Sequence, residues 1–325
     1  MKNQWTIVLG AIAVGAVLPY VFPGPFPRHV MIMVLVYAIL GTAWNILGGY
    51  AGQVSLGHAV YFGIGAYTST MAFIVWRLNP WVGMVLGAVI AASVAILMGY
   101  PTFKLRGFYF AIATIALGEM FRILFVNWEW VGGAVGLEPP IIKGDRLMSM
   151  QFHLSKVPYY YILFIMFLCV LALVRVIERS KLGYYFRAVK DSHEAALSSG
   201  IDTTQVKLVA VAISAFITSM VGTVYAQYLL YIDPYVVFAG SISVKVCLVA
   251  ILGGEGRLMG PFFGSVVLVL LSEYSRVLFG GTGRGIDLII YGWLIVFVAA
   301  FQPRGILGLL GLKKQYAPEV MRKHA

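Results

Sequence analysis

RVIERSKLGYYFRAVKDSHEAALSSGIDTTQVK, residues 175–207, is a polar, charge-rich interval between two long apolar runs. Tyr159–Ile177 before it and Lys207–Tyr228 after it are apolar over nearly their whole length. Crossing hydrocarbon as a helix takes roughly 20 consecutive apolar residues, so the interval reads as a loop between two membrane spans. Within it EAALSSG, Glu194 to Gly200, sets helix formers ahead of a glycine suited to stop a helix. The reading predicts one helix from about Tyr184 to Ser199. Tyr185, Val189 and Ala196 would face one side, with Arg187, Asp191 and Glu194 largely turned away. A short charged helix of this kind between spans is a natural docking surface for a soluble partner.

The rest of the chain supplies the spans. Apolar residues make up 60% of it, charged residues 11%, and the mean hydropathy is +0.87. A soluble domain cannot hide that much apolar surface, so lipid is the solvent. Backbone polar groups in lipid must be satisfied internally, and continuous, non-alternating apolar runs choose helices over a barrel. The expected spans are Trp5–Phe22, Val30–Gly48, Ser55–Trp76, Val82–Tyr100, Phe108–Asn127, Tyr159–Ile177, Lys207–Tyr228, a short Gly240–Leu252, Pro261–Phe279 and Gly285–Phe301. Pro and Gly punctuate their ends. The fold class is all-α: a polytopic membrane protein of about ten transmembrane helices, one domain over residues 1–325, with glycine-rich helix breaks. Short of a full crossing, 240–252 could instead re-enter. The first run is expected to be a retained helix, since no small-residue cleavage site precedes Pro19.

Net charge is +11, and its distribution decides what it means. Basic residues gather at Lys104 and Arg106, through 175–207, and at Arg304, Lys313, Lys314, Arg322 and Lys323, as expected of cytoplasmic loops. The N- and C-termini, the 178–206 loop and the 303–325 tail then lie in the cytoplasm, and 128–158 forms an outer loop, a small cap or docking surface. No basic stripe is interleaved with exposed aromatics, which excludes nucleic acid as a partner. Cys169 and Cys247 each lie in an apolar run and read as packed thiols, with no disulfide framework.

Two glycine-rich turns resemble each other: LGGYAGQVSLG after the second span and LGGEGRLMG after the eighth. Both follow a helix running the same way, so a parallel internal repeat is possible, and transporters often place the pathway between such repeats. Gly49, Gly52, Gln53, Ser55 and His58 in the first turn are candidates for an interrupted, pathway-lining helix. Tight helix packing with satisfied Ser and His side chains is the competing reading. Glu119 and Arg122, spaced i to i+3, form an intramembrane ion pair that fixes helix packing in preference to touching substrate. Glu273 and Arg276 read the same way. Lys245 is expected to snorkel to the outer interface, and His29 and His153 to be surface groups. The chain has no phosphate-cradling loop, no metal-ligand spacing and no nucleophile motif. It is therefore read as no enzyme, with no metal and no cofactor of its own.

EAALSSGIDTTQVKLVAVAISAF resembles the coupling segment of ABC-importer permeases. GGYAGQVSLGHAVYFGIGAYTS, LRGFYFAIATIALGEMFRILF and LGGEGRLMGPFFGSVV resemble the branched-chain amino-acid (Liv-type, LivM-like) family, in family order over most of residues 40–270. One departure is NWEWVGGAVGL, where Val131 replaces the Thr of an N-x-x-x-x-T-G-G pattern. The resemblance implies a permease subunit in the bacterial inner membrane that carries hydrophobic amino acids. Its partners would be a second homologous permease, two cytoplasmic ATPase subunits that bind ATP and Mg, and a periplasmic substrate-binding protein. Arg187, Glu194, Ala195, Ala196 and Gly200 would form the coupling element. Similar permeases carry urea or short amides, which stays open as an alternative. An ion-coupled secondary carrier is the other alternative, opposed by the EAALSSG segment.

Overall fold

The computed structural model describes residues 15–278 except 106, 143, 145 and 146, together with 289, 292, 293 and 306. The expected Gly285–Phe301 span and the 303–325 tail fall almost wholly outside these residues. Of the expected first span only 15–22 is described, helical over 15–21. The named helices are α1 Pro25–Asn45, continued by a π-helical turn at Ile46–Tyr50, α2 His58–Trp76, α3 Pro80–Thr102 and α4 Phe108–Val126. Then come α5 Val157–Arg179, α6 Lys181–Asp191, α7 His193–Ser198, α8 Thr203–Leu229, α9 Pro234–Val237, α10 Gly240–Gly253 and α11 Gly260–Leu278. Among the described residues seven segments are long and apolar enough to cross a membrane. The chain is an all-α, multi-pass membrane protein.

Proline marks the starts: Pro25, Pro80 and Pro234 open α1, α3 and α9, where a missing N–H costs nothing. Asn79 caps α3 through the Trp81 amide at 3.0 Å. Two expectations about helix ends change. Residues 51–57 are irregular, with Gly52 left-handed at φ +71°, so the second described span begins at His58 and not at Ser55. The short helix at 240–252 joins α9 in a segment, Pro234–Gly253, long and apolar enough to cross a membrane. Its start follows Ile232, which is tied to Leu137 at one end of the molecule, and the turn after it reaches Gly49 at the other.

Apolar area drives little association when the surroundings are lipid, so backbone proximity and interhelical hydrogen bonds hold the bundle. Gly65 and Gly222 let α2 and α8 touch backbone to backbone, and Thr223 Oγ1 donates to the Gly65 carbonyl at 3.1 Å. Gly83 and Gly87 bring α3 onto Ser69 and Gly65 of the same helix. A second group packs α1 against α5, α10 and α11. By contrast α4 is peripheral, with only 17% of its apolar window buried.

Loops collect at two ends. At the far end, Leu137 and Ile232 exchange backbone bonds of 2.8 and 3.0 Å, and Trp81 Nε1 donates to the Leu147 carbonyl at 2.9 Å. Tyr159 Oη lies within hydrogen-bond reach of the Met150 and Gln227 carbonyls there, 2.9 and 2.8 Å away, and shares its one proton between them. The 128–158 segment is thus pinned onto helix ends and has no core of its own. The opposite end carries α6 and α7 and is called the island end below.

Candidate functional site

At the island end the two glycine-rich turns resembling one another in sequence lie against each other. A Cβ on Gly49 would collide with Asn45 Oδ1 and the Gly256 amide, so only glycine admits this approach. Asn45, fully buried in the last turn of α1, receives the Gly256 N–H at 2.8 Å and donates Nδ2 to the Arg257 carbonyl at 3.0 Å. One amide side chain therefore zips the second turn onto the first. Both helices, α1 and α10, run toward this contact, as parallel repeats would.

The π turn leaves its last carbonyls without intrahelical partners, and α6 answers one of them. Lys190 Nζ donates to the Gly49 carbonyl at 2.7 Å and to Glu255 Oε1 at 3.0 Å. A cation on the C-terminal carbonyls of a helix is favoured by the dipole, by about 0.3–1 kcal/mol. Glu255 is half-exposed, so its own ion pair with Lys190 adds little. The neighbouring Tyr50 Oη donates to Glu178 Oε1 at 2.6 Å, and Arg175 holds the other oxygen at 3.0 Å. Glu178 is buried, and these two donors compensate its charge.

Beyond Tyr50 the chain runs irregularly back into the bundle, turning at the left-handed Gly52, φ +71°. Irregular backbone at membrane depth survives only when protein or enclosed water satisfies it. Here protein does so. Trp44 Nε1 donates to the Ser55 carbonyl at 2.7 Å, and the Leu56 amide donates to Thr114 Oγ1 at 2.9 Å. His58 starts α2 beside Ser214, which stands about 17 Å along α8 at 1.5 Å per residue. Ser214 Oγ donates to the Ala43 carbonyl at 2.7 Å, which commits its proton. His58 Nε2 must then donate to Ser214 Oγ, 2.8 Å away, leaving Nδ1 as a buried acceptor with no partner among the described residues. The Ala59 amide donates to Ser243 Oγ at 2.8 Å.

The pathway candidates therefore divide. Gly52 and Gln53 are reachable at the island end, whereas Gly49, Ser55 and His58 are buried. A cavity of about 10 Å³ beside Ser55, Gly57 and Thr114 has room for no more than a water. A larger one, about 280 Å³, opens among Tyr37, Leu40, Phe62, Tyr225, Tyr235 and Ser241. It is near the lower limit of small-ligand sites. Its aromatic walls come from α1, α2, α8 and the segments around α9, so sequence periodicity gives no sign of it.

The docking island differs from the expected single helix. Ser192 is extended (φ −158°) and splits it into α6 and α7. Its side chain accepts the Ala195 amide at 3.2 Å, capping α7 in place of continuing α6. Gly200, at φ +79°, ends α7: its amide donates to Leu197 O at 2.9 Å and the Ile201 amide to Ala196 O at 3.0 Å. That is the paired-bond stop suited to a left-handed glycine. Glu194, Ala195 and Leu197 face outward and Ala196 inward. Two further expectations change. Tyr185 is exposed, and Gly183, Phe186 and Val189 form the buried face. Arg187 turns back on the chain, donating Nε to the Gly183 carbonyl of its own helix and Nη2 to the Glu178 carbonyl at the end of α5, at 2.9 Å each, since its forked N–H groups can reach both.

Elsewhere Arg122 Nε donates to Glu119 Oε2 at 2.9 Å; on peripheral α4 Glu119 is exposed and Arg122 part-buried. Arg122 also lies over the Tyr235 ring at 5.2 Å, on the wall of the larger cavity. Lys245 packs over Tyr37 at 4.7 Å within the bundle and does not reach the far interface. His29 is half-buried, bonded to Tyr228 Oη at 2.7 Å and 3.9 Å from buried Glu273, so it is no simple surface group. Cys247 is buried but Cys169 is exposed on α5. Among the described residues no three His, Cys, Asp or Glu side chains converge as a metal site.

Comparison with known proteins gives a consistent picture. The family model described as a branched-chain amino acid transport system permease component matches residues 27–299. The high-affinity branched-chain amino acid transport system permease protein LivM of Salmonella typhimurium is 28% identical, over 85% of this chain and 68% of its own length. LivH of the same organism, also a permease of that system, is 24% identical over 84% of this chain and 91% of its own length. The fructose import permease FrcC of Rhizobium meliloti is 25% identical over 48% of this chain and 44% of its own. No solved structure gives a significant match.

Proposed function

The chain belongs to the branched-chain amino acid transport system permease family, and on that premise we propose that it is one of two membrane subunits of an ATP-binding-cassette importer. Its substrates are hydrophobic, branched-chain amino acids. The island end faces the cytoplasm of a bacterium, both termini lie on that side, and α7 meets an ATPase subunit. ATP and Mg are bound by the two ATPase partners, and this chain performs no chemistry itself. A periplasmic binding protein delivers substrate to the far end, where 128–158 offers Trp128, Trp130 and Val135 as exposed apolar contacts.

The observation that carries this reading is α7. It is a helix of six residues, capped at both ends by its own side chains and backbone, and it presents Glu194, Ala195 and Leu197 to the outside. A turn so short has no stability of its own, and its rigid caps suit a surface built to receive force. Two features support a second permease. LivM and LivH, named as permeases of one transport system, both align along most of this chain. The Glu119–Arg122 pair would be costly against lipid tails, and a partner covering α4 removes that cost. The 280 Å³ cavity, with Leu40, Phe62 and Ile242 on its walls, suits an aliphatic side chain better than urea.

Reconstitution tests the reading. With the second permease, ATPases and binding protein in vesicles, the wild-type chain should import leucine only with ATP. Glu194→Arg combined with Leu197→Asp should insert normally and lower import at least tenfold. Wild-type import by that variant would remove α7 from the coupling path.

A further inference from the structure

The docking island and the interrupted helix are separate in sequence, and Lys190 joins them. Lys190 is the next-to-last residue of α6, two residues before the Ser192 break into α7. Its amine bridges the Gly49 carbonyl, where the π turn gives way to irregular chain, and the Glu255 carboxylate of the second glycine turn. Its stem lies along Gly52, whose missing side chain would meet Lys190 Cγ, Cα and Cβ at 3.0–3.3 Å. A Cβ on Gly256 would stand 3.0 Å from the Gly49 carbonyl and 3.8 Å from Lys190 Nζ. Four backbone segments thus converge on one side chain: α6, the π turn, the irregular chain after it, and the second turn.

We propose that Lys190 is the positioning residue that transmits displacement of the α6–α7 island to both glycine turns, and through them to the 51–57 break. The proposal rests on the reading of α7 as the ATPase dock and adds the route inward from it. The geometry gives three reasons. First, Glu178, which also grips Tyr50, lies on α5 and precedes α6, so it cannot move with the island independently of the α5 span, whereas Lys190 lies on α6 itself. Second, Lys190 binds a backbone carbonyl, so its pull acts on the chain path and not on a side chain free to change rotamer. Third, Asn45 already locks the second turn to the first, so one contact moves both.

The test measures leucine imported per ATP hydrolysed in vesicles holding the full complex, normalised to assembled transporter. Lys190→Met should reduce that ratio at least tenfold while ATP hydrolysis continues. Lys190→Arg, which keeps a cationic donor, should recover at least a third of it. Glu255→Gln, which keeps a hydrogen-bond acceptor and the Gly49 contact, should stay within threefold of wild type. A Lys190→Met ratio equal to wild type overturns the proposal. So does a fall confined to the amount of assembled complex with the ratio unchanged, since that is a structural role only. Leu197→Cys cross-linking to the ATPase subunit, in wild type and in Lys190→Met, tells the two readings apart. A cross-link in both with an unchanged ratio refutes Lys190 alone, whereas no cross-link in either refutes the dock on which it rests.

Discussion

The α6–α7 island and the 46–58 break meet at Lys190, yet they are built by opposite means. The bonds that start and stop α7 are local: Ser192 to Ala195, Gly200 to Leu197 and Ile201 to Ala196, followed by Asp202 to Thr204 and Gln205 at the start of α8. The break is held from afar, by Thr114, Ser214, Ser243 and Lys190, residues on four other helices. A locally made element keeps its shape when it is moved as a body. An element held by distant partners changes shape when those partners shift. The pairing gives a rigid lever bearing on a deformable hinge.

Substitutions at comparable places in the two regions should therefore differ sharply. The largest effect is expected from Gly49→Val. No neighbour of Gly49 is free to retreat, because Asn45 and the Gly256 backbone are themselves bonded to each other. The variant should fail to accumulate as folded protein, measured by monodisperse yield in detergent. Normal yield would show that the two turns are not in close contact.

Next comes Ser214→Ala. It removes the Ser214 hydroxyl that His58 Nε2 bonds to and leaves both ring nitrogens buried without a partner among the described residues, which costs about 2 kcal/mol. The melting temperature in detergent should fall by several degrees, and Ser214→Thr should recover part of it. The smallest effect belongs to the island. Gly200→Ala meets open space, so its cost is confined to backbone strain at positive φ, about 1 kcal/mol. It should lower the melting temperature less than Ser214→Ala. A larger drop at Gly200 than at Ser214 would reverse the contrast drawn between the regions.

What could be read from sequence follows the same division. The spans were legible because apolar length alone specifies them, and Gly200 was legible as a stop because its bonds lie within four residues. The Ser192 break was not, since serine serves equally as an exposed helix residue or a cap. The island's orientation was read only in part: Glu194 faces out as expected, but Arg187 finds acceptors on its own helix and at the end of α5. The 51–57 segment was glycine-rich enough to suggest an interruption, but where α2 resumes depends on Thr114 and Ser214, 58 and 156 residues away from their partners. Lys190 looked like one more charge in a solvated loop, because its acceptor lies 141 residues earlier. Asn45 and Glu178 did leave a trace, as polar groups at the ends of apolar runs.

The central claim is that the island moves the break, and Val54 reports on it directly. Val54 lies in the irregular 51–57 segment and is 43% exposed. With Cys169→Ser and Cys247→Ala as background, Val54→Cys in the reconstituted complex can be labelled by a membrane-impermeant maleimide. The labelling rate should change at least fivefold when ATP and leucine-loaded binding protein are both present, and that change should vanish in Lys190→Met. A rate that is the same with and without nucleotide would contradict the account.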